Sequence, residues 1–297
     1  MKSFIPGEIP VRELHSILLG AVAPRPIAFV STIDKEGNPN LSPFSFFNMF
    51  GANPPIFVFS PSRRGRDNTT KHSYHNVKEV PEVVINLVNY NMVHQVNLAS
   101  AEFPKGVNEF IKAGFTQLKS DLVKPFRVKE SPVQIECRVL QVIETGSGGG
   151  AGNLVVCQAV KVHVAEEILN EQGRIDQHKA GWVGRMGDNW YCRTDGNSLF
   201  EVPKPQEVAS IGIDSLPEYI RNSKILTGND LGQMGNLLQF PDNDAIKAHQ
   251  LDQKYLSIIN SETNAEKRRE KLQLYAKELI LSGDVVKAIC VCVEEIV

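Results

Sequence analysis

A succession of short segments rich in β-branched and aromatic residues, each fenced by Gly, Pro or Asn, runs through the first two thirds of the chain. Pro26-Ile27-Ala28-Phe29-Val30-Ser31-Thr32-Ile33 leads into Asp34-Lys35-Glu36-Gly37-Asn38, which reads as a turn before Leu41, so this stretch predicts a β-hairpin. Further strands are expected over residues 55–60, 83–88, 133–144, 153–166 and 190–193. Within Val160-Lys161-Val162-His163-Val164 apolar and polar residues alternate, which predicts buried valines and a solvent-facing His163. Only short helical stretches intervene, at 92–99 and at 107–113, the second closed by Gly114 in a C-cap position. Many short strands with few helices between them favour a closed or nearly closed antiparallel barrel over a parallel sheet.

After about Pro205 the pattern becomes helical. Residues 216–222 predict a short helix with Ser215 as N-cap and Pro217 in its first turn. Asp242 or Asp244 is placed to cap a longer helix on which Ile246, Leu251, Tyr255, Ile258 and Ile259 recur at helical spacing. Thr263-Asn264-Ala265-Glu266 fits a capping box and Gly283 a terminator, bracketing a helix with Leu272, Tyr275 and Leu279 on one side. Residues 285–297 suit strand or helix equally. The expected organisation is a β-barrel domain over 1–205 and a mostly helical extension over 206–297.

Composition limits the function classes. The 297 residues are 42% hydrophobic and 22% charged, values of an ordinary folded protein and not of a disordered or membrane-spanning one. Lys plus Arg number 32 against 34 Asp plus Glu, so the basic excess needed for nucleic-acid binding is missing. Cys137, Cys157, Cys192, Cys290 and Cys292 form no Cys-x-x-Cys pair and lie in or beside apolar segments, which suits small hydrophobes in a reducing, cytoplasmic compartment. Lys2 ahead of the apolar run Ile17-Leu18-Leu19-Gly20-Ala21-Val22-Ala23 has the outline of a leader, but Pro6, Glu8, Pro10 and Glu13 between them argue against one.

Three segments bear on chemistry. Gly146-Ser147-Gly148-Gly149-Gly150-Ala151-Gly152 satisfies the loose dinucleotide fingerprint, yet it leads into the strand Leu154-Val155-Val156 instead of opening a helix, so it is expected to be a hairpin loop. Arg63-Arg64-Gly65-Arg66-Asp67-Asn68-Thr69-Thr70-Lys71-His72-Ser73-Tyr74-His75-Asn76 gathers cations and hydroxyls in what reads as a loop after a strand. It suits a phosphomonoester, and equally a solvated basic surface. His72 and His75 have no acidic or cysteine ligand at metal-binding spacing, so no metal site is expected. Asn40-Leu41-Ser42-Pro43-Phe44-Ser45-Phe46-Phe47-Asn48, followed by Asn53-Pro54-Pro55, alternates small polar and aromatic residues. It suits the polar edge and face of a flat heteroaromatic ring, or a turn whose Phe residues enter the core.

Taken in order, Pro24-Arg25-Pro26-Ile27-Ala28, Val30-Ser31-Thr32, Gly37-Asn38, residues 40–48, Pro54-Pro55 and Lys71-His72-Ser73 with Asn76 resemble the flavin reductase-like family of FMN-binding split-barrel proteins. The resemblance spans about residues 10–203, through Glu102-Phe103, Glu109-Phe110, Gly114 and Glu136-Cys137 to Arg185-Met186-Gly187 and Trp190-Tyr191. It implies an antiparallel six-stranded split β-barrel, usually dimeric, with FMN near the subunit interface. Lys71 and Ser73 match the Lys and Thr of a Lys-Asp-Thr motif near the flavin phosphate, with His72 standing where the family commonly has Asp. Ser45 and its neighbours match the segment that touches the isoalloxazine. The cofactor-binding residues so implied are Ser42, Pro43, Ser45, Phe46, Asn48, Ser60, Arg66, Lys71, Ser73 and Asn76.

The function implied is an FMN-dependent oxidoreductase. NAD(P)H as co-substrate would reduce the flavin at N5, and electrons would pass to free flavin or to a protein partner. No side chain is singled out as catalytic, because the chemistry belongs to the flavin. The rival is a non-catalytic, flavoredoxin-like FMN-binding electron carrier in which the C-terminal helices cover the ring. An oxidase of the pyridoxamine-phosphate type is less well supported, since no second basic cluster stands out in the sequence for another phosphate.

Overall fold

In the computed structural model, which describes residues 1–204 and 209–293, strand β1 (Ala28–Ile33) is buried at every position. Ala28 and Val30 face a core shared with Phe44, Phe59, Ile85 and Val155, whereas Ile27 and Phe29 face a second core with Leu41, Phe110 and Phe115. Burial on both faces is why this strand reads as a continuous apolar run. The expected turn follows: Asp34 accepts from the Asn38 N–H at 2.8 Å, and Gly37 has φ 87°, which a side chain would disfavour. β2 (Pro39–Phe44) returns beside β1.

The principal sheet adds β3 (Phe47–Ala52), β4 (Pro55–Phe59), β5 (Glu82–Leu87), β8 (Val133–Glu144) and β9 (Asn153–Val164). All pairings are antiparallel, in the order β2-β1-β5-β8-β9-β4-β3. Laid flat, seven strands would hold β2 and β3 about 29 Å apart at ~4.8 Å per step. Only Ser45 and Phe46 join these two outer strands, a reach of roughly 10 Å. The sheet must therefore curl until its edges approach without pairing, which makes it an antiparallel split barrel. Ser60 N–H donates to the Phe46 carbonyl at 2.9 Å across this corner.

Two small hairpins accompany the barrel, β6 (Gln117–Leu118) with β7 (Arg127–Val128) and β10 (Val183–Arg185) with β11 (Tyr191–Arg193). Helix α1 (Val11–Ala21) precedes the strands, and α2 (His72–Glu79), α3 (Val93–Leu98), α4 (Glu109–Ala113) and α5 (Gln177–Ala180) lie between them. Gly114 ends α4 in the left-handed conformation, as its C-cap position predicted. Three elements depart from the sequence reading. The run weighed as a leader lies largely in α1. Residues 47–52 form a strand, and residues 72–76, read as the end of a loop over 63–76, fall in α2 because Tyr74 and Val77 have a core to fill.

His163 is a further correction. Its Nε2 lies 2.7 Å from Oε1 of the fully buried Glu136, while Val162 is 53% exposed. The polar face of β8 and β9 is covered by residues 115–131, whose Asp121 and Leu122 N–H groups donate to Glu136 at 2.9 and 2.6 Å. A side chain on that face therefore meets protein where alternation alone predicts water. Asp121, pulled down by its bond to Lys161, completes this cluster.

The glycine-rich run connects β8 to β9, as expected. A Cβ on Gly149 would lie 3.1 Å from the Gly65 carbonyl, and Arg63 N–H donates to Ala151 O at 2.9 Å. The run thus seats the basic segment 63–68 against the barrel.

Contacts divide the chain into Met1–Phe200 and Glu201–Val297; the junction expected at 205–206 lies outside the described residues. The second unit contains α6 (Glu218–Arg221), α7 (Gly228–Gly235), α8 (Asn243–Gln250), α9 (Gln253–Ser261), α10 (Ala265–Leu281) and α11 (Val285–Cys292). Its own core includes Ile220, Met234, Tyr255, Tyr275 and Ile289. The helix expected from Asp242 onward is two, because Asp252 accepts from the Lys254 and Tyr255 N–H groups and starts α9. Pro217, not Ser215, precedes α6, and Asn264, not Thr263, caps α10. Residues 285–292 are helical; 294–297 lie outside the described residues.

Candidate functional site

The open edge of β2 is guarded against further strand pairing. Leu41 N–H is taken by Glu109 Oε2 at 3.1 Å, and Pro43 has no N–H to offer. Burial raises the Glu109 carboxyl above its usual range. Along this edge runs a cleft in two sections that share Ser100. Ser42, Arg64, Lys71, Ser73 and Glu102 line the first. The second, about 170 Å³, is lined by Pro43, Ser45, Asn97, Arg185 and Tyr191.

The first section sets Lys71 and Arg64 beside the Ser42 and Ser73 hydroxyls, with Glu102 and Glu109 also in its lining. Lys71 is the N-cap residue of α2, the end at which a helix favours negative charge. It is half-buried, and among the described residues it makes no side-chain hydrogen bond or ion pair. Burial lowers its pKa, and the neighbouring Arg64 charge lowers it further. Ser73 Oγ accepts from Asn40 Nδ2 at 2.9 Å, which leaves the hydroxyl proton for another acceptor. Arg64 uses Nε on Glu102 at 2.8 Å and Nη1 on Thr69 Oγ1 at 2.9 Å and the Thr70 carbonyl at 2.8 Å, so among the described residues only its Nη2 is without a hydrogen bond.

The structure brings together Ser42, Lys71 and Ser73, with Pro43 and Ser45 in the adjoining section. The other implied residues do not line either section. Asn76 is buried and donates to Thr32 Oγ1 at 3.0 Å; Ser60 is buried and accepts from Asn153 N–H at 3.1 Å. Phe46 meets the His15 ring edge-on at 6.1 Å, and exposed Asn48 accepts from Met49 N–H at 2.8 Å. Arg66 is exposed and paired with Asp67 and Glu102.

Sequence reasoning passed over Arg64, Asn97, Ser100, Arg185 and Tyr191. Arg64 lay in the basic run and Arg185 and Tyr191 in the last segments of the resemblance; Asn97 and Ser100, on or just after a short helix, carried no local signal. Arg25 was also missed. It is buried, donates to the Leu19 and Val22 carbonyls at 2.6 and 2.5 Å and to Met186 O at 2.9 Å, and reaches Ser45 Oγ at 3.4 Å. One guanidinium thus ties the end of α1 and the β10–β11 turn to the residue at the barrel's corner.

The flavin reductase like domain matches residues 20–179. An uncharacterized protein of Aquifex aeolicus (strain VF5) is 35% identical over 199 residues, covering 67% of this chain and 99% of its own. Among solved structures, nitrilotriacetate monooxygenase component B from Bacillus cereus superposes with a TM-score of 0.63 at 29% identity, covering 68% of this chain and 98% of its own. A protein with a split barrel domain from Shewanella frigidimarina NCIMB 400 gives a TM-score of 0.58 at 23% identity, covering 68% and 100%, and shares the fold.

Proposed function

The chain belongs to the flavin reductase-like family, and from that premise we propose that it is an FMN-dependent oxidoreductase that takes hydride from NAD(P)H. One observation carries the choice of a phosphorylated flavin: the half-buried Lys71 ammonium, unpaired among the described residues, at the end of a cleft that continues past Ser45. Bound there, FMN supplies a ring that accepts a hydride and releases electrons. The chain supplies the placement. Lys71 neutralises the phosphate, Ser42 and Ser73 offer hydroxyls to it, and Ser45 and Asn97 offer polar groups to the ring section. Arg25 fixes the corner that presents Ser45.

Electrons would then leave for free flavin or a protein partner, a reading supported by the likeness to a monooxygenase component. A homodimer is proposed from the barrel surface, where Met49 and Phe50 on the outer strand β3 are 56% and 69% exposed. All five cysteines are free thiols, which supports a reducing, cytoplasmic setting. Among the described residues no helix is long and apolar enough to cross a membrane. We further propose residues 1–205 as the flavin domain and 206–297 as a separate helical domain.

The test is an absorbance spectrum of the FMN-loaded protein, recorded anaerobically before and after NADH or NADPH. Rapid loss of the oxidised flavin band is expected with at least one donor. A band that survives both donors but bleaches with dithionite would overturn the reductase and leave an electron carrier.

A further inference from the structure

The fold gathers a second set of cations that the sequence scatters. Arg185 stands on β10, Arg193 on β11 and His94 on α3; with Tyr90 and Tyr191 they line a cavity of about 360 Å³. Asn97, Arg185 and Tyr191 line this cavity and the ring section of the cleft alike, so the two spaces adjoin. Each guanidinium lies over a tyrosine, Arg193 at 4.0 Å from the Tyr90 ring centre and Arg185 at 4.7 Å from that of Tyr191. Asp195 takes the Arg193 Nε at 2.9 Å, and among the described residues both terminal nitrogens of Arg193 are without a hydrogen bond. Arg185 uses one terminal nitrogen on Trp190 O at 2.9 Å.

Cation-on-aromatic contacts next to the Arg193 fork, unbonded among the described residues, suit a planar heterocycle that carries phosphate: the ring stacks, the fork takes oxygens in pairs. The volume falls near the lower end of ligand pockets, which run to roughly 300–1,000 Å³. We propose that this cavity is a second ligand subsite for an adenosine phosphate, the distal half of the hydride donor. This rests on reading the adjoining cleft as the flavin site. A second phosphate-binding cluster is invisible in the sequence because its members come from a helix and from opposite strands of a hairpin.

The test is calorimetric titration of the full-length, FMN-loaded protein with ADP-ribose, which lacks the nicotinamide ring. Arg193→Ala should weaken ADP-ribose about ten- to a hundredfold, the loss of a charge-assisted contact. Arg193→Lys should restore only part, because an ammonium lacks the planar fork. FMN affinity, read separately from flavin fluorescence, should change by less than about twofold in either variant, because Arg193 lines the second cavity and neither section of the cleft. If ADP-ribose does not bind, or binds wild type and Arg193→Ala equally, the subsite is refuted. Binding of pyridoxamine 5′-phosphate without ADP-ribose would refute the adenosine assignment. If FAD binds more tightly than FMN and loses that advantage in Arg193→Ala, the subsite stands and the flavin's own adenosine is its occupant. If FMN fails to bind but the flavin-free protein still takes ADP-ribose through Arg193, the flavin reading falls and the subsite stands.

Discussion

Replacing Lys71 by Ala should separate FMN from riboflavin, ligands that differ by the phosphate alone. Two unit charges 4 Å apart at a half-buried site interact by about 4 kcal/mol, an upper bound for the contact. A charge-assisted hydrogen bond contributes ~1.5–3 kcal/mol net. Lys71 is half-buried, and that burial lowers its pKa. Its gain on meeting a phosphate therefore falls toward the upper part of that range, a loss on mutation of roughly thirty- to a hundredfold in affinity. Riboflavin should change by less than about twofold, within the additivity expected when no contact is lost. The assay is quenching of flavin fluorescence in parallel titrations. Equal losses for the two flavins would remove Lys71 from the phosphate site. The same residue makes a pH prediction with the opposite sign to an ordinary ion pair. A cation whose folded pKa is lowered leaves more protons on the unfolded chain, so flavin-free stability should rise as pH climbs from the lowered folded value toward the ordinary ~10.4. In Lys71→Ala that contribution to the rise should vanish in chemical denaturation measured across pH 8–11, on the order of the titration range of a lysine.

Glu136→Gln should lower unfolding stability by about 2–3 kcal/mol, because the fully buried carboxylate accepts from two backbone N–H groups and pairs with His163. Burial opposes its charge, but those donors hold its pKa below the ordinary range, so its contribution is full above pH ~4.3 and lost as pH falls through the lower folded value. Acid unfolding of the variant should be correspondingly shallower; an unchanged acid limb would refute the assignment. Gly184→Ala should cost about 1–3 kcal/mol in a calorimetric scan, since its Cβ would stand 2.7 Å from Pro24 Cβ and 2.9 Å from Cys192 Sγ. Light scattering at micromolar concentration should give about twice the 33.0 kDa chain mass, and Phe50→Lys should shift it toward the monomer; a monomeric wild type with flavin bound would remove the partner chain from the site.

Strands were the most legible part of the sequence because period-two patterning and turn residues are local. Residues 133–144 were expected as one strand and form β8 over the same span. His163 shows where that logic stops: alternation assigns a face, while only the fold shows that residues 115–131 cover it. The break at Asp252 was hidden for a similar reason. The apolar positions on α8 and α9 keep helical spacing, and a single carboxylate turned back onto two N–H groups divides them. Lys71 and Ser73 could be grouped from the sequence because they lie two residues apart, and the structure places both along the cleft. Arg185, Tyr191 and Asn97 come from three separate elements, β10, β11 and α3, and their meeting depends on where the small β10–β11 hairpin sits.

That dependence also explains why the cleft lies at the seam. A barrel interior filled by Val30, Phe44, Phe59 and Ile85 has no room for a ring system, and strands inside a sheet have their backbone groups paired. Only at the split do β2 and β3 separate, and there the chain prevents closure with two small devices: a proline without an N–H and a buried glutamate on the N–H two residues before it. Were the edge free, β2 could recruit another strand by its ladder groups. Guarded in this way, it keeps a polar wall of Asn40, Ser42 and Ser45 facing groups from α2, the segment after α3 and the β10–β11 hairpin. The buried Arg25 then fixes the corner between β2 and β3, so the curvature that opens the barrel and the placement of Ser45 share one set of hydrogen bonds.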